Sequence, residues 1–217
     1  LMDRVDRFVL LDDVQFDKRS WQQRNRVKTA SGPIWLTVPV LTKGRREQTI
    51  VEAEIQPEAR FAETALKTLE HAYCKADYFA PVMDRVAPAF ERAGQGLCAL
   101  NVALIEALCE LMGLEADMVR SSDTPVTSSK AQRLADLCTV HGAARYLSPP
   151  GSKHYLDGDP ALEQAGVELA YLNYTHPEWP QLHGRFEPYM SALDLVMNAL
   201  PDALAIIRSG VGEDRPG

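Results

Sequence analysis

Two adjacent carboxylates, Asp12 and Asp13, follow directly on the apolar run Phe8 to Leu11. Behind them come Gln15, Lys18, Arg19, Trp21, Gln22, Gln23, Arg24, Asn25, Arg26 and Lys28. Folding does not require such polar density, and polar groups just past a strand end are held rigidly while still reaching solvent. The segment is therefore expected to bind a polar, anionic ligand, against the plainer reading of a solvated, charge-balanced hairpin or helix face. On an extended chain the two acids point to opposite sides, so one of them faces a given ligand. That carboxylate can bind an amine, orient a sugar hydroxyl, hold a magnesium ion or act as a general base. Lys18, Arg19, Arg24 and Arg26 can neutralise phosphates, with arginine suited to two-point contacts. Trp21 either stacks on a base or sugar face or packs in the core.

A second constellation is Pro149-Pro150-Gly151-Ser152-Lys153-His154-Tyr155, read as a loop between a strand and a helix. Its small residues let backbone approach an anion, and Lys153 adds a point charge; an ordinary turn is the alternative. The glycine spacing is not that of a Walker motif. His154 is the histidine best placed for chemistry. His71 and His141 lie on predicted helices, and His176 and His183 flank THPEWPQLHGRF, whose Trp179 and prolines predict a rigid flap. No histidine spacing indicates a zinc site. A serine triad is excluded by the lack of a GxSxG elbow. Cys74, Cys98, Cys109 and Cys138 carry no CxxC or Cys/His metal spacing, and are expected to be reduced and structural. Cys74, with Lys75 beside it, is a weak nucleophile candidate.

The elements that must position these groups change character along the chain. Strands are predicted over Phe8–Phe16, Ile34–Leu41 and Thr49–Ile55, the second preceded by the turn signal Ala30-Ser31-Gly32-Pro33. Helices are predicted over Pro57–Tyr73, over Ala80–Ala93 with Gly94-Gln95-Gly96 as terminator, and over Leu97–Met112 before Gly113. Beyond these, short strands at 117–121, 145–148 and 167–173 alternate with helices at 128–141 and 160–165. That pattern predicts parallel β-α-β units.

Composition narrows the class. The chain has 217 residues and a net charge of −7, enough length for a substantial core and a charge that argues against nucleic-acid or anionic-membrane binding. No apolar run is long enough to span a bilayer, and the cysteine usage fits a cytoplasmic location.

The segment Leu10 to Phe16 with Lys18 to Arg26 resembles the signature of the WbqC-like proteins. So do Trp35 to Val40, Ala72-Tyr73, Tyr78-Phe79, Tyr146 to Ser148 with Gly151 to Leu156, and Ser191 to Asn198. The resemblance runs from Leu1 to about Ile207. Members of that family carry a segment with glutamine-proline, tyrosine, proline-tryptophan and glycine-tyrosine just before the first strand seen here. Ligand contacts made there are expected to lie outside this sequence. The resemblance implies a setting in O-antigen, other surface-polysaccharide or specialised-metabolite biosynthesis.

Together these readings predict an α/β fold: a Rossmann-like, mostly parallel sheet in one domain over 1–209, a helical insert at about 57–113 and a disordered tail at 210–217. The activity that the resemblance implies is a transferase moving an acyl or aminoacyl group, with a nucleotide-linked amino sugar or carrier-bound substrate; a non-catalytic binding or scaffold protein is the alternative. Catalytic roles fall to Asp12, Asp13 and His154. Substrate binding falls to Gln15, Lys18, Arg19, Trp21, Arg24, Asn25, Arg26, Ser152, Lys153 and Tyr155. Residues 12–26 and 148–155 are expected to line one pocket. No motif specifies a cofactor or an oligomeric state.

Overall fold

The computed structural model describes residues 1–91, 96–213 and 215–216. In chain order the elements are β1 (Phe8–Leu10), β2 (Arg24–Thr29), β3 (Gly32–Thr37), α1 (Phe61–Tyr73), α2 (Phe79–Glu91), α3 (Leu97–Met112) and β4 (Met118–Arg120). They continue with α4 (Lys130–Val140), β5 (Arg145–Ser148), α5 (Lys153–Leu156), α6 (Ala161–Gln164), β6 (Glu168–Tyr171), α7 (Ala192–Ala199), α8 (Ala203–Ser209) and β7 (Arg215–Pro216). The predicted terminator Gly94-Gln95 lies outside the described residues.

The fold is mixed α/β with short parallel sheets, and its backbone divides into two compact units. The first comprises Leu1–Leu11, Ala116–Thr175 and Ser209–Gly217. In it β1 pairs with β4 in parallel, β5 with β6 in parallel, and β7 with β6 antiparallel. The predicted alternation of strand and helix is therefore present here. Within the tail, Arg215 and Pro216 form β7 against Tyr171 and Ala170. A small core forms where Ala131, Leu134, Ala135 and Cys138 of α4 meet Leu156, Leu162 and Val167.

The second unit comprises Asp12–Glu115 and His176–Arg208. The helices read as an insert belong to it, together with the hairpin β2–β3. Strand β2 was not expected. Its sequence RNRVKT looks like a loop because one face is polar, yet all six of its residues pair with β3 across the two-residue turn Ala30-Ser31. Gly32 closes that turn at φ 103°, a backbone that glycine adopts without strain. The strand predicted over Thr49–Ile55 reduces to isolated bridges at its two ends, with turns between them.

Helix α1 buries Phe61, Ala65, Leu69, Ala72 and Tyr73, the three-and-four spacing of one apolar face. Helix α3 stops at Gly113, whose left-handed φ of 64° returns its N–H to the last turn. Helix α7 is buried from Leu193 to Met197, and the Ser191 hydroxyl caps it by accepting from the Leu193 N–H at 3.3 Å. Tyr73, Val82, Phe90, Leu97, Leu100 and Val196 meet in one core with Val27 of the hairpin. Among the described residues no helix is long and apolar enough to cross a membrane.

Candidate functional site

The polar segment after Asp13 is shaped by its own amides. Gln22 Oε1 accepts from the Asp17 N–H at 2.7 Å, and the Ser20 hydroxyl donates to the Asp17 carbonyl at 2.6 Å. Buried Gln23 accepts from the Arg19 N–H and donates to the Val38 carbonyl, each at 3.0 Å. These contacts fix a compact turn over residues 17–23, with Arg19 at φ 65°. Gln22 and Gln23 therefore hold backbone.

The turn presents Trp21, 62% exposed, beside Trp35 of β3, 45% exposed. The ring centroids are 5.1 Å apart at 58°. Residues two apart on a strand share a face, so Arg24 and Arg26 stand on the same side of β2, and Trp35 lies directly across from Arg26. The Arg24 guanidinium sits 4.2 Å from the Trp35 ring centroid, a cation–π contact. Arg26 reaches the Pro188 carbonyl at 3.5 Å. Exposed Asn25 accepts from the Arg26 N–H at 2.8 Å. Among the described residues, none of Lys18, Arg19, Arg24 and Arg26 takes part in an ion pair. Arg24 and Arg26 thus flank the exposed Trp35, an arrangement of cation and indole that can take an anion carrying a flat ring. Trp21 is not a core residue.

The adjacent acids differ as their spacing predicts. Asp12 is 3% exposed, and its Oδ2 lies 3.7 Å from the Cys98 thiol. Its carbonyl accepts from the Val51 N–H at 2.8 Å. Asp13 is half-buried. Gln15 donates to the Arg46 carbonyl at 3.1 Å.

The second constellation lies in the other unit, and it is helix rather than loop. A 3-10 turn Pro150–Ser152 runs into α5, which carries Lys153, His154 and Tyr155. Buried Ser152 shares a 2.6 Å hydrogen bond with Ser148 and donates to the Pro149 carbonyl at 2.7 Å. The Lys153 ammonium is 4.6 Å from the Tyr171 ring centroid. His154 donates from Nδ1 to the Gly151 carbonyl at 2.8 Å and stands edge-on to exposed Tyr155. These contacts close the turn on itself.

Sequence reasoning overlooked a buried polar network in the second unit and assigned its lysine to the basic cluster. Lys28 is 2% exposed. Its ammonium donates to Gln181 Oε1 at 3.1 Å and to the carbonyls of Gly184 and Arg185 at 3.4 and 2.6 Å. The Lys28 N–H donates to the Tyr73 hydroxyl at 3.0 Å, which donates in turn to Asp194 Oδ2 at 2.9 Å. Trp179 donates to Asp194 Oδ1 at 2.8 Å. Burial, reinforced by the Asp194 charge, pushes the Tyr73 hydroxyl far above the usual tyrosine range. The predicted flap is thereby tied down at Trp179, Gln181, Gly184 and Arg185.

None of the four cysteines is in a disulfide; Cys74 is exposed and the other three are buried. Burial raises the Cys109 and Cys138 thiols. A thiol reagent at neutral pH is expected to label one cysteine, Cys74, rapidly and the rest only on unfolding. Equal labelling of all four in the native protein, read by intact mass, would contradict this.

The chain belongs to the WbqC-like protein family, whose model matches residues 1–206. It is 35% identical over 206 residues to the uncharacterized protein Rv1507c of Mycobacterium tuberculosis (strain ATCC 25618 / H37Rv), covering 94% of this chain and 88% of that protein. No solved structure matches.

Proposed function

We propose that the Trp21–Trp35–Arg24 surface of the second unit binds a nucleotide-linked amino sugar, and that the protein is a cytoplasmic group-transfer enzyme of surface-polysaccharide or specialised-metabolite biosynthesis. The observation that carries this reading is Arg24 and Arg26, neither in an ion pair among the described residues, beside Trp35 and the exposed Trp21 that meets it at a tilt. Indole faces take up a base or sugar ring, while arginine and lysine take up the diphosphate. A carrier-bound acyl group offers phosphate but no flat ring, so it accounts for less of the surface. Asp13 is the carboxylate proposed for proton transfer, since Asp12 is shielded.

The test is a calorimetric titration with nucleotide-linked amino sugars, free nucleotides and acyl-carrier thioesters. Trp21→Ala, Arg24→Ala and Arg26→Ala are each expected to weaken nucleotide-sugar binding by about 1–3 kcal/mol, with melting temperatures close to that of the parent chain. Asp13→Asn should spare binding and reduce turnover, with Asp12→Asn as its control. Unchanged affinity in all three binding variants would refute the assignment. Binding without any turnover would leave a non-catalytic pathway component as the better description.

A further inference from the structure

Within the first unit lies a cleft of ≈ 920 Å³, bordered by Phe8, Val9 and Leu11 at β1 and by every residue of 141–149 along β5. Successive strand side chains point to opposite faces, so a cleft that touches consecutive strand residues lies against an edge and not a face. Strand β1 is bonded to β4, and β5 to β6. Among the described residues no strand pairs with the second edge of either. Two strand edges thus border one cleft, to which α4 contributes Leu134, Leu137 and Cys138. His141, also in its lining, has a buried Nε2 with no partner among the described residues, while its Nδ1 faces the Arg7 guanidinium at 3.4 Å. Arginine only donates, which places the neutral ring's proton on Nε2 and leaves that N–H in need of an acceptor.

We propose that this cleft is a strand slot. It takes an extended peptide segment with apolar side chains at alternate positions, hydrogen-bonded to β1 on one side and β5 on the other. A strand edge offers N–H and C=O groups in a fixed repeat, and peptide backbone is the group that answers that repeat along a whole strand. Six residues extend about 20 Å at the usual strand rise, enough to follow β5 and its flanks. Alternate apolar side chains follow from the leucines of α4. The inserted carbonyls also offer the acceptor that His141 lacks. A filled slot joins the two sheets into one, with β4, β1, the inserted strand, β5, β6 and β7 in order, which is the continuous sheet that the strand–helix alternation predicts.

The experiment is residue-resolved hydrogen exchange on the full chain, with and without an acetylated, amidated Thr-Val-Thr-Val-Thr-Val peptide. The control is the same peptide N-methylated at every valine, which cannot donate along one edge. Before addition, edge amides of β1 and β5 are expected to exchange quickly. The peptide should slow them at least tenfold in both strands, and the control should not. Slow exchange without peptide, protection in one strand alone, equal protection by the methylated control, or no protection at millimolar peptide would each overturn the proposal.

Discussion

Asp194→Ala is expected to destabilise the protein by about 3–5 kcal/mol, because it strips an acceptor from two buried donors at once. Tyr73 and Trp179 each hydrogen-bond one oxygen of this carboxylate, and all three side chains are buried. Such a loss is a large part of the stability of an ordinary domain. Asp194→Asn keeps one acceptor and should cost less. Urea titration followed by tryptophan fluorescence measures both, and Trp179 reports directly on the network. An alanine variant within 1 kcal/mol of the parent, by the scale of a single ordinary hydrogen bond at about 1 kcal/mol, would mean the network contributes little.

Lys28→Ala is the second large effect, expected at about 2–4 kcal/mol, since three oxygens lose the ammonium that holds them. Lys28→Met should recover part of this, because its stem still fills the space of the lysine methylenes. Arg24→Ala, four residues earlier on the same strand, should cost at most about 1 kcal/mol, the scale of its cation–π contact with Trp35. Thermal and urea unfolding of the three variants separates the buried cation from those at the surface. Equal losses at Lys28 and Arg24 would contradict the division.

Why the sequence could not make that division is a matter of period. The spacing of α1, α3 and α4 was legible because each buries a stripe at three-and-four intervals with a glycine or turn after it. Strands β4, β5 and β6 were legible as short apolar runs between helices. Strand β2 was not, since Arg24, Arg26 and Lys28 share one face and read as a charged loop; Lys28 turns inward only because Gln181 and Arg185, more than 150 residues away, supply its acceptors. Trp21 was recognised as a stacking candidate, but its partner Trp35 was not, as their meeting depends on how the 17–23 turn folds back over the β2–β3 hairpin. The loop reading of Lys153 to Tyr155 failed because the backbone closes a helical turn there, the Asp157 N–H donating to the Lys153 carbonyl at 2.9 Å.

Lys28 and the Arg185 carbonyl that it holds are 157 residues apart in the chain. At synthesis rates of about 5–20 residues per second, the hairpin leaves the ribosome roughly 8 to 30 seconds before its acceptors do. During that interval a lysine destined for burial, and the side of the early core that Val196 and Met197 of α7 later cover, have only solvent to meet. The second unit is therefore built from a waiting half and a late half, and its newborn chain is a natural client for chaperones that shield exposed apolar surface until translation is nearly complete.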